Sequence, residues 1–535
     1  MESLDAKEQE PVTQHVDIVH QSGKVVNAYL ILACTAFGAA SFIFGFDDKI
    51  ISPVAALEPF VSISVLEILE QGPYTDNATN QVDKYQGPNT VTGKYVFSAR
   101  NQNLLFSVPL VGSILGGMLT SPLNTRFGRK IPLIAAYILS IGGGILQVLA
   151  PNLGAFVAGR FINAIAMGLA NATSPLYMSE VVPPAMRGRS VTSINILSLV
   201  AGVVGTTIVW RTEQLGGHRS YMIPLIVQCV LPAILLVLTL PLPESPQWLV
   251  SKDRMEQAYC NLRKLRGFSD TEVRRELQVM KMCEDNEREL SANVKFWEIF
   301  NRQNLKRTLT AGSFYSLNQI SGIILSTTYA TVFLTEIGVG DAFTLTVISS
   351  CCTLAGTIVA PFVIDRAGRR PTAFTGMSAL FIINVIAGGL AFDTGNKNAT
   401  MGIAALSFIF NFFWAASFYS LSNLMPSEIA TAKLRNHTMA YTIMCAQTTA
   451  VITTLAVPQL TSADAANLGS KTYLVFAGCM AGVLVFAYFF MPETRGRTFA
   501  EIDEMYDAGI PMRAWRKYET TVESRTAVAD EKLQA

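Results

Sequence analysis

Charge is scarce in this chain of 535 residues. Asp, Glu, Lys and Arg make up 15% of it, against about 25% in a soluble domain. Acid and base nearly cancel, 40 against 41, for a formal net charge of +1. That balance leaves no electrostatic footprint for a nucleic acid. The 4 histidines are too scattered to make a metal site. Of the 8 cysteines, Cys260 and Cys283 fall in a charged central segment and the others in or beside apolar runs. No pair recurs with disulfide or zinc spacing, so they read as small hydrophobes. There is no nucleotide loop and no nucleophile–base pairing, so neither a cofactor nor an enzymatic activity is expected. No cleavable signal precedes the first apolar run. Residues 1–25 are polar and read as a cytoplasmic tail.

What the chain has is long apolar runs. Half of its residues, 50%, are hydrophobic, and the mean hydropathy is +0.34. A transmembrane helix needs about 20 mostly apolar residues. Roughly twelve runs of that length are present. In the first half they lie near 26–46, 103–123, 131–150, 153–175, 191–210 and 221–241. In the second half they lie near 308–333, 342–364, 372–392, 402–424, 438–458 and 472–491. The expected fold is therefore an all-α membrane protein with twelve transmembrane helices, numbered spans 1 to 12 below. Between the halves, residues 242–307 are polar and read as cytoplasmic linker helices. Residues 492–535 read as a cytoplasmic tail with one short helix near Phe499–Met505 and disorder beyond. A long extracellular loop is expected at about 52–102.

Three short motifs each occur twice, in the same order. Asp365, Arg366, Gly368, Arg369 and Arg370 lie between spans 8 and 9, and Arg126, Gly128, Arg129 and Lys130 between spans 2 and 3. Glu180 precedes Arg187 by seven residues, as Glu428 precedes Arg435. Pro243-Glu244-Ser245 is echoed by Pro492-Glu493-Thr494. The repetition means an internal duplication of a membrane unit.

The short loops fix an orientation. Loops after spans 2, 4, 8 and 10 hold Arg126, Arg129, Lys130, Arg187, Arg189, Arg366, Arg369, Arg370, Lys433 and Arg435. Loops after spans 7, 9 and 11 hold only Lys397 and Lys471. The positive-inside rule puts the first set, and both termini, in the cytoplasm. Asn77 and Asn398 head Asn-X-Thr tripeptides that would then face outside, where glycosylation occurs.

The ordered motifs resemble the sugar porter family of the major facilitator superfamily, from about Phe44 to Asp507. The residues that carry the resemblance are Gly45-Phe46-Asp47, Gly159-Arg160, Pro175 to Arg187, Pro243 to Pro246, Gln319 to Gly322, Asp365 to Arg370, Pro426-Ser427-Glu428 and Pro492 to Thr498. The run from Leu424 to Arg435 is most similar to fungal lactose and hexose permease-like members. The resemblance implies two six-helix bundles, 26–241 and 308–491, that rock about a central site. It implies cytoplasmic latches: Arg126 with Glu180 and Arg187, and Arg366 with Glu428 and Arg435, joined by Glu244 and Glu493. Such latches bias two states without freezing one; end-of-helix pairing that sets topology is the plainer reading. Thr125 stands where the family usually has Asp, which would weaken the amino-half latch.

The resemblance also makes Asp47, at the end of span 1, the proton acceptor of coupled members, tuned by Arg160 in span 4. A carboxylate held ionised by an Arg takes a proton when the pair separates in an apolar setting. A structural ion pair is the alternative. Asp48 and Lys49 stand where the family usually has small or uncharged residues. A sugar needs directional hydrogen bonds and aromatic faces. Candidates are Asn195 in span 5, Asn318, Gln319 and Tyr329 in span 7, Trp414 and Asn423 in span 10, and Gln447 in span 11. Polar residues in spans also join helices. Ile324 and Thr328 replace an Asn and an aromatic of hexose carriers, and span 11 lacks the usual Asn-Trp. An unpartnered hydroxyl costs roughly 1–3 kcal/mol to desolvate, so a different solute is open.

The expected protein is a monomeric plasma-membrane carrier, within the lipid bilayer, that imports a sugar or sugar-like solute with a proton. Its partners are that small molecule and the proton, with no nucleic acid and no metal. The alternatives are a carrier of a non-sugar solute, such as quinate or an exported specialised metabolite, and a sugar sensor that transports little.

Overall fold

Every regular element among the described residues of the computed structural model is helical. The structure describes residues 28–61 and 97–518, apart from short breaks at 58, 183, 267–269, 292–295, 303, 337, 339–340, 394–395, 432–433, 463 and 498. Asn77, the first glycosylation candidate, lies outside the described residues. Asn398 is exposed at the start of the helix Lys397–Phe413.

Among the described residues, 11 helices are long and apolar enough to cross a membrane. They answer to eleven of the expected spans: Ala28–Ala55, Ala99–Phe127, Lys130–Val148, Leu153–Val181, Pro184–Glu213 and Arg219–Thr239, then Ala342–Ala367, Arg369–Leu390, Lys397–Ile429, Arg435–Thr461 and Thr472–Phe490. Their outer faces carry bare apolar side chains, such as Val237 at 65% and Phe362 at 66% exposure. Faces of that kind belong in lipid, where each helix satisfies its own backbone.

Span 7 is the exception. It is broken into Leu305–Ile320, Ile323–Thr327 and Ala330–Glu336. Gly322 breaks it with φ +94°, a conformation that glycine adopts without a Cβ penalty. Freed carbonyls find side chains: the Asn384 amide donates to Ser321 O at 3.2 Å and the Asn411 amide to Ser326 O at 3.3 Å. Span 10 carries a widened π turn over Trp414–Tyr419. Span 1 overruns its expected end at 46. The helix continues through Asp47, Asp48 and Lys49 to Ala55, so Asp47 lies in its interior.

The chain divides into two compact units. The first gathers residues up to Asp47, Val111–Gly202 and Leu225–Ala292. Its core stacks Phe37 on Tyr177, ring centroids 3.4 Å apart. The Tyr177 hydroxyl donates to Pro243 O at 2.9 Å. Spans 3 and 4 touch backbone to backbone: a Cβ on Gly159 would lie 2.8 Å from Gly143 O. Close approach of this kind, rather than apolar burial, joins helices in lipid. The linker helices Pro246–Ser251, Met255–Leu265 and Asp270–Ser291 form their own apolar cluster around Trp248, Leu262 and Val273. Arg266 fixes them to span 4, donating to Val181 O at 2.7 Å while pairing with Glu276 at 3.0 Å.

The second unit gathers Asp48–Leu110, Val203–Pro224 and Asn293 onward. It includes the helix Phe499–Asp507. The expected disorder after that helix does not hold as far as Tyr518. Trp515 is fully buried against Ile502 and Met505, and Arg497 donates to Tyr518 O at 2.6 Å.

Candidate functional site

In the first unit, the side chains of Arg160, Asn163 and Gln228 converge on Asp47. Arg160 approaches its carboxylate at 3.8 Å. The Asn163 amide donates to it at 2.8 Å, and the Gln228 amide donates to the same oxygen. Ser140 in turn donates to Asn163 Oδ1 at 2.7 Å, which orients that amide. All of these residues are buried. Two neutral amides thus bond the carboxylate, with the guanidinium at the edge of ion-pair range. A charge buried in this way needs hydrogen bonds as well as an opposite charge. The sequence reading missed Asn163 and Gln228. Asn163 sits one helical turn beyond Arg160, and Gln228 is the lone amide of Arg219–Thr239; either signal could have found them. Asp48 pairs with its neighbour Lys49 at 2.8 Å instead.

The duplicated turns have one atomic design. Between spans 2 and 3, Gly128 has φ +91° and the Glu244 carboxylate fills the space a Cβ would take. That carboxylate accepts the backbone N–H of Arg129 at 2.9 Å and of Lys130 at 3.1 Å. Between spans 8 and 9, Gly368 has φ +96° and Glu493 stands in the same place. Glu493 accepts the N–H of Arg369 at 3.0 Å and of Arg370 at 3.1 Å. Each turn also sends one arginine to the glutamate at the end of the next span but one. Arg129 grips Glu180 from Nε at 2.9 Å and Nη2 at 2.5 Å, and Arg369 grips Glu428 from Nη2 at 2.9 Å. A hydroxyl completes each set: Ser245 donates to Glu180 at 2.5 Å, and Thr494 donates to Glu428.

These partners correct the expected ones. Arg126 is exposed and lies over the Phe127 ring, 5.3 Å from its centroid. Arg366 is exposed, and its carbonyl accepts from Arg495 at 2.6 Å. The arginine after the glycine turns inward because the positive-φ turn re-aims the chain; the one before it stays on the outside of its helix. The side chains of Arg187 and Arg435 lie outside the described residues.

The solute candidates divide by what they already bind. Asn318 is buried and consumed: it donates to Ser422 at 3.0 Å and accepts from Trp414 Nε1 at 2.6 Å. Trp414 itself leans on Tyr419, centroids 4.7 Å apart. The Tyr329 hydroxyl is also buried and donates to Thr454 O at 3.1 Å. Gln319 and Gln447 are half-buried, and Asn195 is exposed. Among the described residues, no hydrogen bond occupies these three amides. The side chain of Asn423 lies outside the described residues.

In the first turn of the helix Ala99–Phe127, the Gln102 amide donates to Glu336 at 2.8 Å. Asp464 accepts the Ala99 N–H at 3.0 and 3.2 Å nearby. Among the described residues, no group of His, Cys, Asp and Glu could hold a metal ion.

The family model described as sugar (and other) transporter matches residues 32–506. The chain is 29% identical to the major facilitator-type transporter ecdD of Aspergillus rugulosus, over 91% of this chain and 88% of that one. It is 29% identical to the general alpha-glucoside permease of Saccharomyces cerevisiae, over 80% of this chain and 70% of that one. Among solved structures it is similar to the inward-open xylose transporter XylE from E. coli, with TM-score 0.69, 20% identity and 89% and 99% of the two chains covered. The same transporter, solved with a bromodeoxyglucose and described as a proton:xylose symporter, gives TM-score 0.66 at 21% identity, over 90% and 99%. The duplicated turns, the interrupted seventh span and a family match over most of the chain agree: this protein is a multi-pass membrane transporter that belongs to the sugar porter family of the major facilitator superfamily.

Proposed function

We propose that the protein imports a sugar or sugar-like solute together with a proton. The solute would be a hexose, a disaccharide or a polyol. Transport would proceed by alternating access across the plasma membrane, with both termini cytoplasmic. The single observation that carries the coupling is the setting of Asp47. It is an ionisable group at membrane depth, which is a functional hypothesis by default. Its amide donors, Asn163 and Gln228, would favour the carboxylate by hydrogen bonding. Arg160, at 3.8 Å, would add a charge that a small helix shift can remove. Loss of any of these contacts favours uptake of a proton. A solved relative carries the description proton:xylose symporter, which supports the same reading.

The solute would engage Gln319 and Gln447, the half-buried amides that make no hydrogen bond among the described residues. Gln319 precedes the break at Gly322, and interrupted spans are where transporters of this kind hold their substrates. Arg129–Glu180 and Arg369–Glu428 would act as the cytoplasmic latches.

One observation favours a second reading. Asn318, Trp414 and Tyr329 spend their polar atoms on the protein, so few donors remain for a hydroxyl-rich solute. A non-sugar solute, such as quinate or a specialised metabolite that is exported, fits that shortage. Uptake of labelled hexoses, disaccharides, polyols and quinate by a yeast without sugar carriers, with external pH recorded, tests both. Saturable sugar uptake with alkalinisation upholds symport. Saturable uptake without it makes Asp47–Arg160 a structural pair. No uptake of any sugar, with the protein at the plasma membrane, favours the second reading.

A further inference from the structure

A cavity of about 290 Å³ lies beside the turn between spans 8 and 9. Arg370, Arg513 and Arg516 line it, with Glu493, Phe374 and Met512. Its volume sits at the lower end of the range for small-ligand sites, roughly 300 Å³. Pro371, Phe374 and Met512 give it an apolar side, and its charged groups are the three arginines and Glu493. That carboxylate is already engaged by three backbone amides, those of Arg369, Arg370 and Arg495, at 3.0 to 3.1 Å.

The three guanidinium groups are brought together by construction. Arg370 donates to Met512 O at 3.2 Å and to Tyr488 O at 2.8 Å, which pins the chain after Phe499–Asp507 to the end of span 12. Trp515 is fully buried and donates to Ile510 O at 3.2 Å. It therefore anchors the segment that carries Arg513 and Arg516 on either side of it. Arg513 lies over the rings of Tyr488 and Phe489, 5.4 and 5.5 Å from their centroids. Among the described residues, none of the three arginines has a carboxylate within ion-pair distance. Like charges gathered around one small cavity repel unless an anion joins them.

We infer that this cavity binds a phosphate group, presented by an anionic lipid headgroup or by a soluble phosphate ester. Planar guanidinium forks match phosphate oxygens. The cavity's position favours the lipid. Tyr488 and Phe489 immediately precede Phe490, the last residue of a membrane-spanning helix, and are about half exposed. Arg513, stacked on both rings, stands where that helix leaves the bilayer. Basic pockets at that depth meet anionic headgroups. The soluble source would leave the stacked arginine without reason to sit at the lipid boundary.

The test uses the full chain in phosphatidylcholine nanodiscs. Phosphatidic acid is one probe and soluble glycerophosphate the other, with bound ligand counted by native mass spectrometry. Wild type should retain phosphatidic acid. Arg513→Ala with Arg516→Ala should weaken that retention about tenfold or more, and more salt should weaken it further. The matched double change to Lys should restore part of it. Retention of glycerophosphate, lost in the same double variant, would uphold the phosphate site and assign it the soluble source. Equal retention of phosphatidic acid by wild type and the double Ala variant overturns the inference, as does failure of wild type to hold either probe. Arg516→Ala alone, at an exposed position, supplies the comparison if the double variant does not fold. Binding is read without transport, so a negative uptake assay leaves this result standing, and the reverse.

Discussion

Gln102 and Glu336 join span 2 to the last turn of the broken seventh span, amide to carboxylate at 2.8 Å. Gln102 is buried, so its loss would leave a carboxylate oxygen without that donor. Gln102→Leu should lower stability by about 1–3 kcal/mol, read as a drop in melting temperature. A melting temperature equal to that of wild type would mean that the pair contributes nothing to the fold.

Asp47→Asn should abolish solute-linked proton entry while the protein still reaches the membrane. Gln228→Leu gives a graded version: it removes one amide and leaves the charge. Its coupled uptake should persist but with an altered pH profile, because a donor to the carboxylate is lost. Unchanged proton entry in Asp47→Asn would leave the buried cluster a purely structural role.

Gln319→Ala and Asn318→Ala should part company although they are neighbours. Asn318 holds both Ser422 and Trp414. Its removal leaves buried polar atoms without partners, at a cost of about 1–3 kcal/mol in stability. Among the described residues Gln319 makes no hydrogen bond, so its loss should raise the half-saturation concentration with little change in melting temperature. The opposite pattern would exchange the two roles.

The spans were legible because lipid demands an apolar run of helix length, and the duplicated turns because their charges stand out between such runs. Span 7 was read as continuous because hydropathy does not register a break made by one glycine dihedral. The partners in the latches were not legible for a similar reason. Arg126 and Arg129 lie three residues apart, and spacing alone suits either. What decides is the positive φ of Gly128, which swings the following residue inward. Trp515 escaped notice because a few scattered aromatic residues in a polar tail carry no period. Asn318 and Gln319 read alike as amides in a span, and only the positions of Trp414 and Ser422 tell them apart.

The two turn glycines should be intolerant in parallel. A Cβ at Gly128 would lie 2.3 Å from the Glu244 carboxylate, and one at Gly368 would lie 2.9 Å from that of Glu493. Both positions also have positive φ, which costs a non-glycine residue about 1–3 kcal/mol. Gly142→Ala and Gly389→Ala are the controls, since a Cβ there meets nothing within 4 Å and the residues are helical. Melting should drop for the turn variants and hold or rise for the controls. A turn variant as stable as its control would mean that the carboxylate moves aside freely.

Arg129→Ala against Arg126→Ala tests the partner that the structure puts on Glu180. Glu180 is 6% exposed and takes its positive charge from Arg129. Removing one partner of a buried pair leaves an uncompensated charge, at a cost of about 3–5 kcal/mol. Arg126 is exposed and outside the pair, so its loss should change stability by less than about 0.5 kcal/mol. Replacing both partners, Arg129→Met with Glu180→Leu, should recover most of the lost stability, because an apolar pair of similar volume needs no compensation. That same double variant removes the proposed latch. If the latch biases transport, its uptake kinetics should change while its melting temperature does not, and a variant with wild-type values of both would reduce the pair to end-of-helix pairing.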